Sequence, residues 1–205
     1  VDWRAAGLEG FGKEGDYVAR QIHRWTKQYK ASETQHIPEM EQLIEWLPKN
    51  IPPGDKTTIV HGDYRLDNMV LHPTEPRVIA VLDWELCTLG DPLADFSYHL
   101  MNWVMPPGDA TRGSIMAIKD LKAWGIPTMD EYVDLYCKHT GRDGLPELDY
   151  YFAYNGFRLA GILQGIIGRV RDGTANSANA ESNAARVVPL AKFAADYARR
   201  AGMRG

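Results

Sequence analysis

Three short, oxygen-bearing side chains fall within a stretch of 21 residues: Asp63, Asn68 and Asp83. An amide oxygen and a carboxylate are hard ligands of the kind that Mg²⁺ accepts, with water and substrate phosphates completing its coordination. If Asn68 and Asp83 bind the ion, Asp63 remains available to orient and deprotonate a nucleophile. These residue types therefore predict a magnesium site beside a general base, provided that the chain brings all three together.

A predicted β-hairpin would bring them together. Residues 69–72 and 77–82 have the apolar, β-branched character of strands, and the turn Pro73-Thr74-Glu75-Pro76 separates them. Antiparallel pairing about this turn places Asn68 opposite Val81. Asp83, the predicted carboxylate ligand, then follows one step past the end of the second strand. Both expected metal ligands thus lie at the open end of the hairpin, and the candidate base lies on the loop before it.

The order His61-Gly62-Asp63-x4-Asn68, followed by a strand that ends at Asp83, resembles the catalytic core of the aminoglycoside phosphotransferase family. The members of this family are relatives of the protein kinases that act on small molecules. The resemblance implies that ATP and Mg²⁺ are used, with Asp63 as the catalytic aspartate and with metal and nucleotide binding at Asn68 and Asp83. It also implies that Arg65 places a cation on the γ-phosphate.

The segment Val60–Asp95, which includes Gly90-Asp91-Pro92-Leu93-Ala94-Asp95, is most similar to the kinase-like domain associated with acyl-CoA dehydrogenases of the family 10/11 type. This resemblance implies a hydroxyacyl-CoA as the acceptor substrate and an association with an acyl-CoA dehydrogenase. No strand lysine that could hold the α- and β-phosphates precedes the catalytic loop. Because the chain also begins without an initiator methionine, we expect it to be part of a longer protein.

The expected fold class is α+β and mainly helical: the C-terminal lobe of a protein-kinase-like fold, with a small catalytic β-hairpin and without the N-terminal β-lobe. We divide the single domain, residues 1–205, into a helical lead-in (1–56), a catalytic loop and metal-binding hairpin (57–95) and a helical substrate-binding part (96–205). Residues 57–60 are expected to form one further strand. Apolar spacing and capping signals predict helices at about 15–29, 40–47, 92–104, 111–124, 128–139 and 146–171, and a last helix that ends near Arg200.

Four further residues of the catalytic segment have supporting or open roles. We interpret His61 as structural, holding the loop through its ring, Asp91 as the cap of the following helix, and Asp95 as a partner that fixes the loop. Glu85 is ambiguous, since it could be a metal ligand, a substrate-binding group or a solvated carboxylate. The segment Gly10–Gly15 fits G-x-G-x-x-G, but no hydrophobic strand precedes it, so we expect a loop rather than a nucleotide site.

The charge distribution favours an anionic small-molecule substrate. The chain has 23 basic and 27 acidic residues, which argues against a nucleic-acid partner, whereas residues 151–205 hold eight basic residues against three acidic ones. Arg158, Arg169 and Arg171 stand beside apolar residues of the predicted helix 146–171, and Arg158 is a candidate substrate contact. No apolar run is long enough for a membrane span. Two widely separated cysteines predict a reducing, cytoplasmic location.

Two other functions stay open at this point. The chain could be a non-catalytic kinase-like module that binds an acyl-CoA or a protein partner, although intact Asp63, Asn68 and Asp83 count against this. A metal-dependent hydrolase using the same acids ranks last, because the histidines lack the spacing of metal ligands.

Overall fold

The computed structural model describes residues 2–53, 56–105, 115–174 and 180–204. Within these ranges the chain is mainly helical with a few short strands, so the mixed, mainly helical fold predicted from the sequence is confirmed. The α-helices are α1 (Tyr17–Ser32), α2 (Pro38–Trp46), α3 (Pro92–Val104), α4 (Met129–Thr140), α5 (Leu148–Arg171) and α6 (Ala180–Arg200). The strands are β1 (Thr58–Val60), β2 (Met69–Leu71), β3 (Val78–Val81) and β4 (Thr88–Gly90).

The long helix α5 is the centre of the core and packs against α1, α3 and α6. Its Phe157, together with Tyr29 of α1 and Leu100 of α3, is fully buried. Each such side chain stabilises the fold by roughly 1.5–3 kcal/mol relative to an exposed position. Gly156 lets α5 approach α6 closely, since a Cβ atom at this position would lie 2.9 Å from the Cβ atom of Ala194. Within residues 57–95, β1 contacts α3 and β4 contacts α1, so this segment adjoins a tightly packed helical base.

The four strands form two separate antiparallel pairs, β2 with β3 and β1 with β4. The first pair is the predicted hairpin, but the expected register is wrong by one residue. Met69, not Asn68, pairs with Val81, and an irregularity between Val70 and Leu71 restores the pairing expected near the turn. Asn68 instead pairs with Leu82, whose N–H donates to the Asn68 carbonyl at 2.8 Å. The second pair was not predicted, because three-residue strands 28 residues apart have no local turn signal.

Two local predictions are corrected by the structure. The described part of the predicted helix 111–124 forms turns and a short 3-10 helix at Lys122–Trp124. The Asp120 side chain accepts a hydrogen bond from the Ala123 N–H at 3.0 Å, and this bond competes with the backbone hydrogen bonds of an α-helix. Asp16, which the sequence places as the cap of the predicted helix 15–29, does not cap α1 with its side chain. Its left-handed conformation, with φ of 50°, departs from the extended backbone of an N-cap residue.

The sequence predicts a helix breaker at residues 50–54, a stop for α3 at residues 106–108 and a loop or frayed helix start at residues 173–183. Gly54, residues 106–108, the start of the predicted 111–124 helix and residues 175–179 lie outside the described residues. Among the helices that the structure does describe, none combines the length and the apolar character needed to cross a bilayer.

Candidate active site

The catalytic loop is attached to the open end of the hairpin through Leu82. The Leu82 N–H donates to the carbonyl of Asn68, and the Leu82 carbonyl lies 2.8 Å from Nε2 of His61. The Asp63 N–H donates to Nδ1 of the same His61 ring at 3.2 Å. A neutral imidazole with its proton on Nε2 satisfies both contacts. His61 therefore connects the loop residue Asp63 to the strand end that precedes Asp83.

The N-terminal part of the loop is held from the helix α3. Asp95 accepts the N–H of His61 at 2.5 Å with one carboxylate oxygen and the N–H of Gly62 at 3.0 Å with the other. Burial raises the pKa of Asp95, and the two backbone hydrogen bonds and the charge of Arg158 lower it in part. Gly62 has φ of 84°, and a Cβ atom there would lie 2.8 Å from the Leu86 carbonyl oxygen. The loop requires glycine at this position.

Asp63 and Asn68 contact each other directly. Nδ2 of Asn68 donates to the carbonyl of Asp63 at 2.9 Å and to its carboxylate at 3.0 Å. Asn68 therefore holds Asp63 through its amide nitrogen alone, and its amide oxygen takes no part in these two contacts. Tyr98 of α3 interacts electrostatically with Asp63, since burial followed by the Asp63 charge raises the pKa of the Tyr98 hydroxyl. Asp63 is thus held by the Asn68 amide, with the Tyr98 hydroxyl in its electrostatic environment.

Tyr98 is a site residue that the sequence reasoning missed. It stands three residues after Asp95, and positions i and i+3 share a helix face. The spacing could have indicated Tyr98 from the sequence, because the helix face that carries Asp95, the predicted partner of the loop, also carries Tyr98.

Asp83 lies one residue beyond the Leu82–Asn68 pair and is exposed. It has left-handed backbone angles, φ of 67° and ψ of 49°, and it precedes the 3-10 helix Trp84–Leu86. Among non-glycine residues in the described ranges, only Asp16 shares this conformation. Such strained backbone concentrates at functional sites, and aspartate tolerates it better than most residues. The hairpin thus brings Asn68 and Asp83 to one end, as the sequence predicted.

The two other charged candidates have different surroundings. Arg65 forms an ion pair with the exposed Asp67, with Nε donating at 2.8 Å. Its charge is thus partly neutralised by a side chain that solvent can reach. Glu85 is exposed within the 3-10 helix after Asp83.

Asp91 and Arg158 both face the interior. The Asp91 carboxylate accepts the Leu93 N–H at 2.9 Å and so caps α3, and it also accepts the Tyr151 hydroxyl at 2.5 Å. Arg158 was predicted as a substrate contact on a basic helix face, and the structure corrects its location. Only 7% of its surface is exposed, and its guanidinium donates to the carbonyl of Gly62 at the back of the catalytic loop. Helical periodicity alone did not show that this residue lies on the buried side of α5.

An aromatic cluster lies beside the loop. The ring of the buried His99 lies 5.6 Å from those of Tyr64 and Tyr132, and 5.8 Å from that of Trp103. Burial lowers the pKa of His99. A neighbouring cavity of about 380 Å³ is lined by Tyr64 and Tyr132 among others. These residues are spread over some 70 positions and share no motif, so the sequence did not indicate their convergence.

Away from the hairpin, three side chains in the described ranges lie close enough together to share a cation: Glu33, His36 and Glu41. The two acids already pair with the Lys30 ammonium group. The predicted magnesium site differs in kind from this group, because it combines one carboxylate with one amide oxygen.

Comparisons with known proteins show the family to which the chain belongs. The sequence model of the phosphotransferase enzyme family (APH) matches residues 1–132. The chain is 45% identical to mouse acyl-CoA dehydrogenase family member 10 over 205 residues, which is all of this chain and 19% of that protein. It is 41% identical to rat acyl-CoA dehydrogenase family member 11 over 204 residues, 98% of this chain and 26% of that protein.

One solved structure is also similar. A Ralstonia eutropha protein assigned as an aminoglycoside phosphotransferase superimposes with a TM-score of 0.90 and 53% identity, over 98% of this chain and 60% of that one. The chain therefore spans only part of each of these relatives, and the resemblance predicted from residues 60–95 is confirmed. The family match covers more than half of the chain, and the chain accordingly belongs to the APH phosphotransferase enzyme family.

Proposed function

We propose that this chain supplies the catalytic loop and metal-binding hairpin of an ATP- and Mg²⁺-dependent phosphotransferase that acts on the hydroxyl group of a small molecule. The observation that carries the proposal is the hydrogen-bonded unit formed by Asp63, Asn68 and Leu82. It holds a carboxylate beside an amide, with Asp83 at the same end of the hairpin. A phosphoryl transfer depends mainly on such positioning and on electrostatic stabilisation.

In this mechanism Asp63 orients the acceptor hydroxyl and accepts its proton. The Asn68 amide holds the carboxylate in place, which reduces the reorganisation needed at the moment of transfer. The Asn68 amide oxygen and the exposed Asp83 carboxylate fit Mg²⁺, since both are hard oxygen donors. When bound, the ion would neutralise phosphate charge. Arg65 would exchange its exposed partner Asp67 for a phosphate oxygen.

We further propose that the chain is the C-terminal lobe of a kinase-like fold. The solved relative is longer, since this chain covers 60% of it. The hairpin region also presents several large apolar side chains to solvent, each 47–55% exposed, and an apolar surface of this kind favours contact with another part of the protein. These side chains are Leu66, Leu71, Val78, Ile79, Leu82, Trp84 and Leu86.

For the acceptor we propose a hydroxyacyl-CoA, in a protein that contains or associates with an acyl-CoA dehydrogenase. The names of the mouse and rat relatives support this substrate class. The net positive charge of residues 151–205 also disfavours a polycationic aminoglycoside. Less of this positive charge is available to a ligand than the sequence suggests, because Arg158 is buried and three other arginines pair with acidic side chains. These are Arg171, Arg199 and Arg200.

A coupled ADP-release assay on the complete protein tests the acceptor. Hydroxyacyl-CoAs and kanamycin-type sugars are compared at equal concentrations with Mg·ATP. We expect turnover with the hydroxyacyl-CoAs, and Asn68→Ala as the inactive control. Turnover of the sugars with low micromolar KM, and none of the acyl-CoAs, would contradict the proposed substrate class. ATP-dependent turnover of neither class would favour the non-catalytic alternative.

A further inference from the structure

Gly62 is held at both ends of its backbone by side chains of opposite charge. Its N–H donates to Asp95 of α3 at 3.0 Å, and its carbonyl accepts a hydrogen bond from Nη2 of Arg158 on α5. This carbonyl belongs to the peptide unit that joins Gly62 to Asp63. The orientation of that unit sets the direction in which the Asp63 side chain leaves the backbone. Arg158 therefore contacts the atom that determines where the candidate base points.

Arg158 is itself rigidly placed. Its guanidinium lies 5.1 Å from the ring centroid of Tyr98 and 5.9 Å from that of Trp25, and only 7% of the residue is exposed. A guanidinium is planar and permanently charged, so it holds a carbonyl with a fixed direction. Its aromatic neighbours come from α1 and α3, while Arg158 belongs to the central helix α5. The hydrogen bond to Gly62 thus links the catalytic loop to three helices of the core.

The charge of Arg158 also has a specific role beneath the loop. Asp95 is a half-buried carboxylate, and a charge removed from water is unfavourable unless a counter-charge or hydrogen bonds compensate it. The Arg158 charge lowers the pKa of Asp95, and Asp63 in turn stabilises the charged form of Arg158. The Arg158 cation thus interacts electrostatically with two carboxylates: Asp95, which holds the loop, and Asp63, the candidate base.

We propose that Arg158 is a positioning residue of the catalytic loop, which fixes the Gly62–Asp63 peptide through the Gly62 carbonyl while Asp95 holds the adjoining N–H groups. Its role in turnover rests on the proposed phosphotransferase function. Its role in loop geometry can be measured without any substrate. A merely structural arginine would support the stability of the core but would leave the folded loop unchanged.

The test compares Arg158→Lys and Arg158→Met with a matched control, Arg24→Met. Arg24 stacks 5.1 Å from the same Trp25 ring, but it is exposed on α1 and outside the loop contacts. Lysine retains the charge and loses the planar fork, whereas methionine retains most of the apolar stem. If Arg158→Met does not fold, Arg158→Lys still allows both measurements below.

The first measurement is amide hydrogen exchange of residues 61–64 in this chain, compared with a core peptide of α5. We expect faster exchange of the loop amides in both Arg158 variants, with the α5 peptide protected as in the wild type, and no change in Arg24→Met. Unchanged loop exchange in Arg158→Lys, or equal acceleration across loop and core, would overturn the positioning role.

The second measurement is steady-state phosphotransfer by the complete protein. A displacement of about 1 Å can cost about 100-fold in rate, so we expect kcat of Arg158→Met to fall by about that factor. The KM for ATP should stay within about twofold, and Arg158→Lys should recover part of kcat. An unchanged kcat, or a loss equal to that of Arg24→Met, would refute the role in turnover. If the wild type transfers no phosphoryl group, the proposed function fails, and the exchange data still decide whether Arg158 positions the loop.

Discussion

Replacing Gly62 with alanine tests how tightly the catalytic loop is built against the hairpin. Gly62 has φ of 84°, a conformation that costs an alanine about 1–2 kcal/mol. The added Cβ atom would also lie 2.8 Å from the carbonyl oxygen and 3.0 Å from the Cβ atom of Leu86. Relieving such overpacking typically costs a further ~1–3 kcal/mol. We therefore expect Gly62→Ala to lower the free energy of unfolding by about 3 kcal/mol.

A matched control separates the two contributions. Gly141, at the end of α4, has φ of 69°, and a Cβ atom added there would meet no atom of the described residues within 4 Å. Gly141→Ala should therefore cost only the backbone contribution, about 1–2 kcal/mol. Urea unfolding of both variants of this chain, with equal m-values, gives the difference directly. A loss in Gly62→Ala no larger than that in Gly141→Ala would refute the close contact between the loop and Leu86.

Three further predictions address metal binding, pH and helix capping. Asp83→Asn should remove ATP turnover in the complete protein. Its free energy of unfolding should stay within about 0.5 kcal/mol of the wild-type value, because the side chain is exposed. Wild-type turnover by this variant would contradict the role of Asp83 as a metal ligand. Because burial lowers the pKa of His99 in the folded protein, the unfolded chain binds more protons once the pH falls below about 6.5. The free energy of unfolding should then decrease as the pH falls further, and His99→Phe should weaken that decrease; an identical pH dependence in the variant would contradict the assignment. Thr128→Ala should lose the capping box of α4 and about 1 kcal/mol of stability in the same urea assay, and an unchanged midpoint would contradict it.

The local features of the site could be predicted from the sequence because they depend on neighbouring residues. The hairpin follows from two apolar runs about a Pro-rich turn, and the Asp91 cap follows from Asp-Pro at a helix start. The register prediction was wrong by one residue because an irregularity within β2 is not encoded by alternation of side chains. This error still left Asn68 and Asp83 at the same end of the hairpin.

Features that depend on packing between distant segments could not be predicted in the same way. The burial of Arg158 depends on how α1, α3 and α5 pack together. The sequence of the predicted helix 146–171, which has few acidic residues, instead favoured an exposed basic face. The pairing of β1 with β4 likewise joins segments separated by the whole hairpin. The described part of the predicted 111–124 helix fails for a local reason, the competing hydrogen bond of Asp120.

Transfer of labelled phosphate tests the central claim most directly. The complete protein is incubated with [γ-³²P]ATP, Mg²⁺ and a hydroxyacyl-CoA, and the acyl-CoA product is separated and counted for the wild type and for Asp63→Asn. Asparagine keeps the size of Asp63 and its contact with Asn68 but cannot accept the hydroxyl proton. We expect label in the wild-type product and a loss of at least about 100-fold in Asp63→Asn. Equal labelling by both proteins would contradict it.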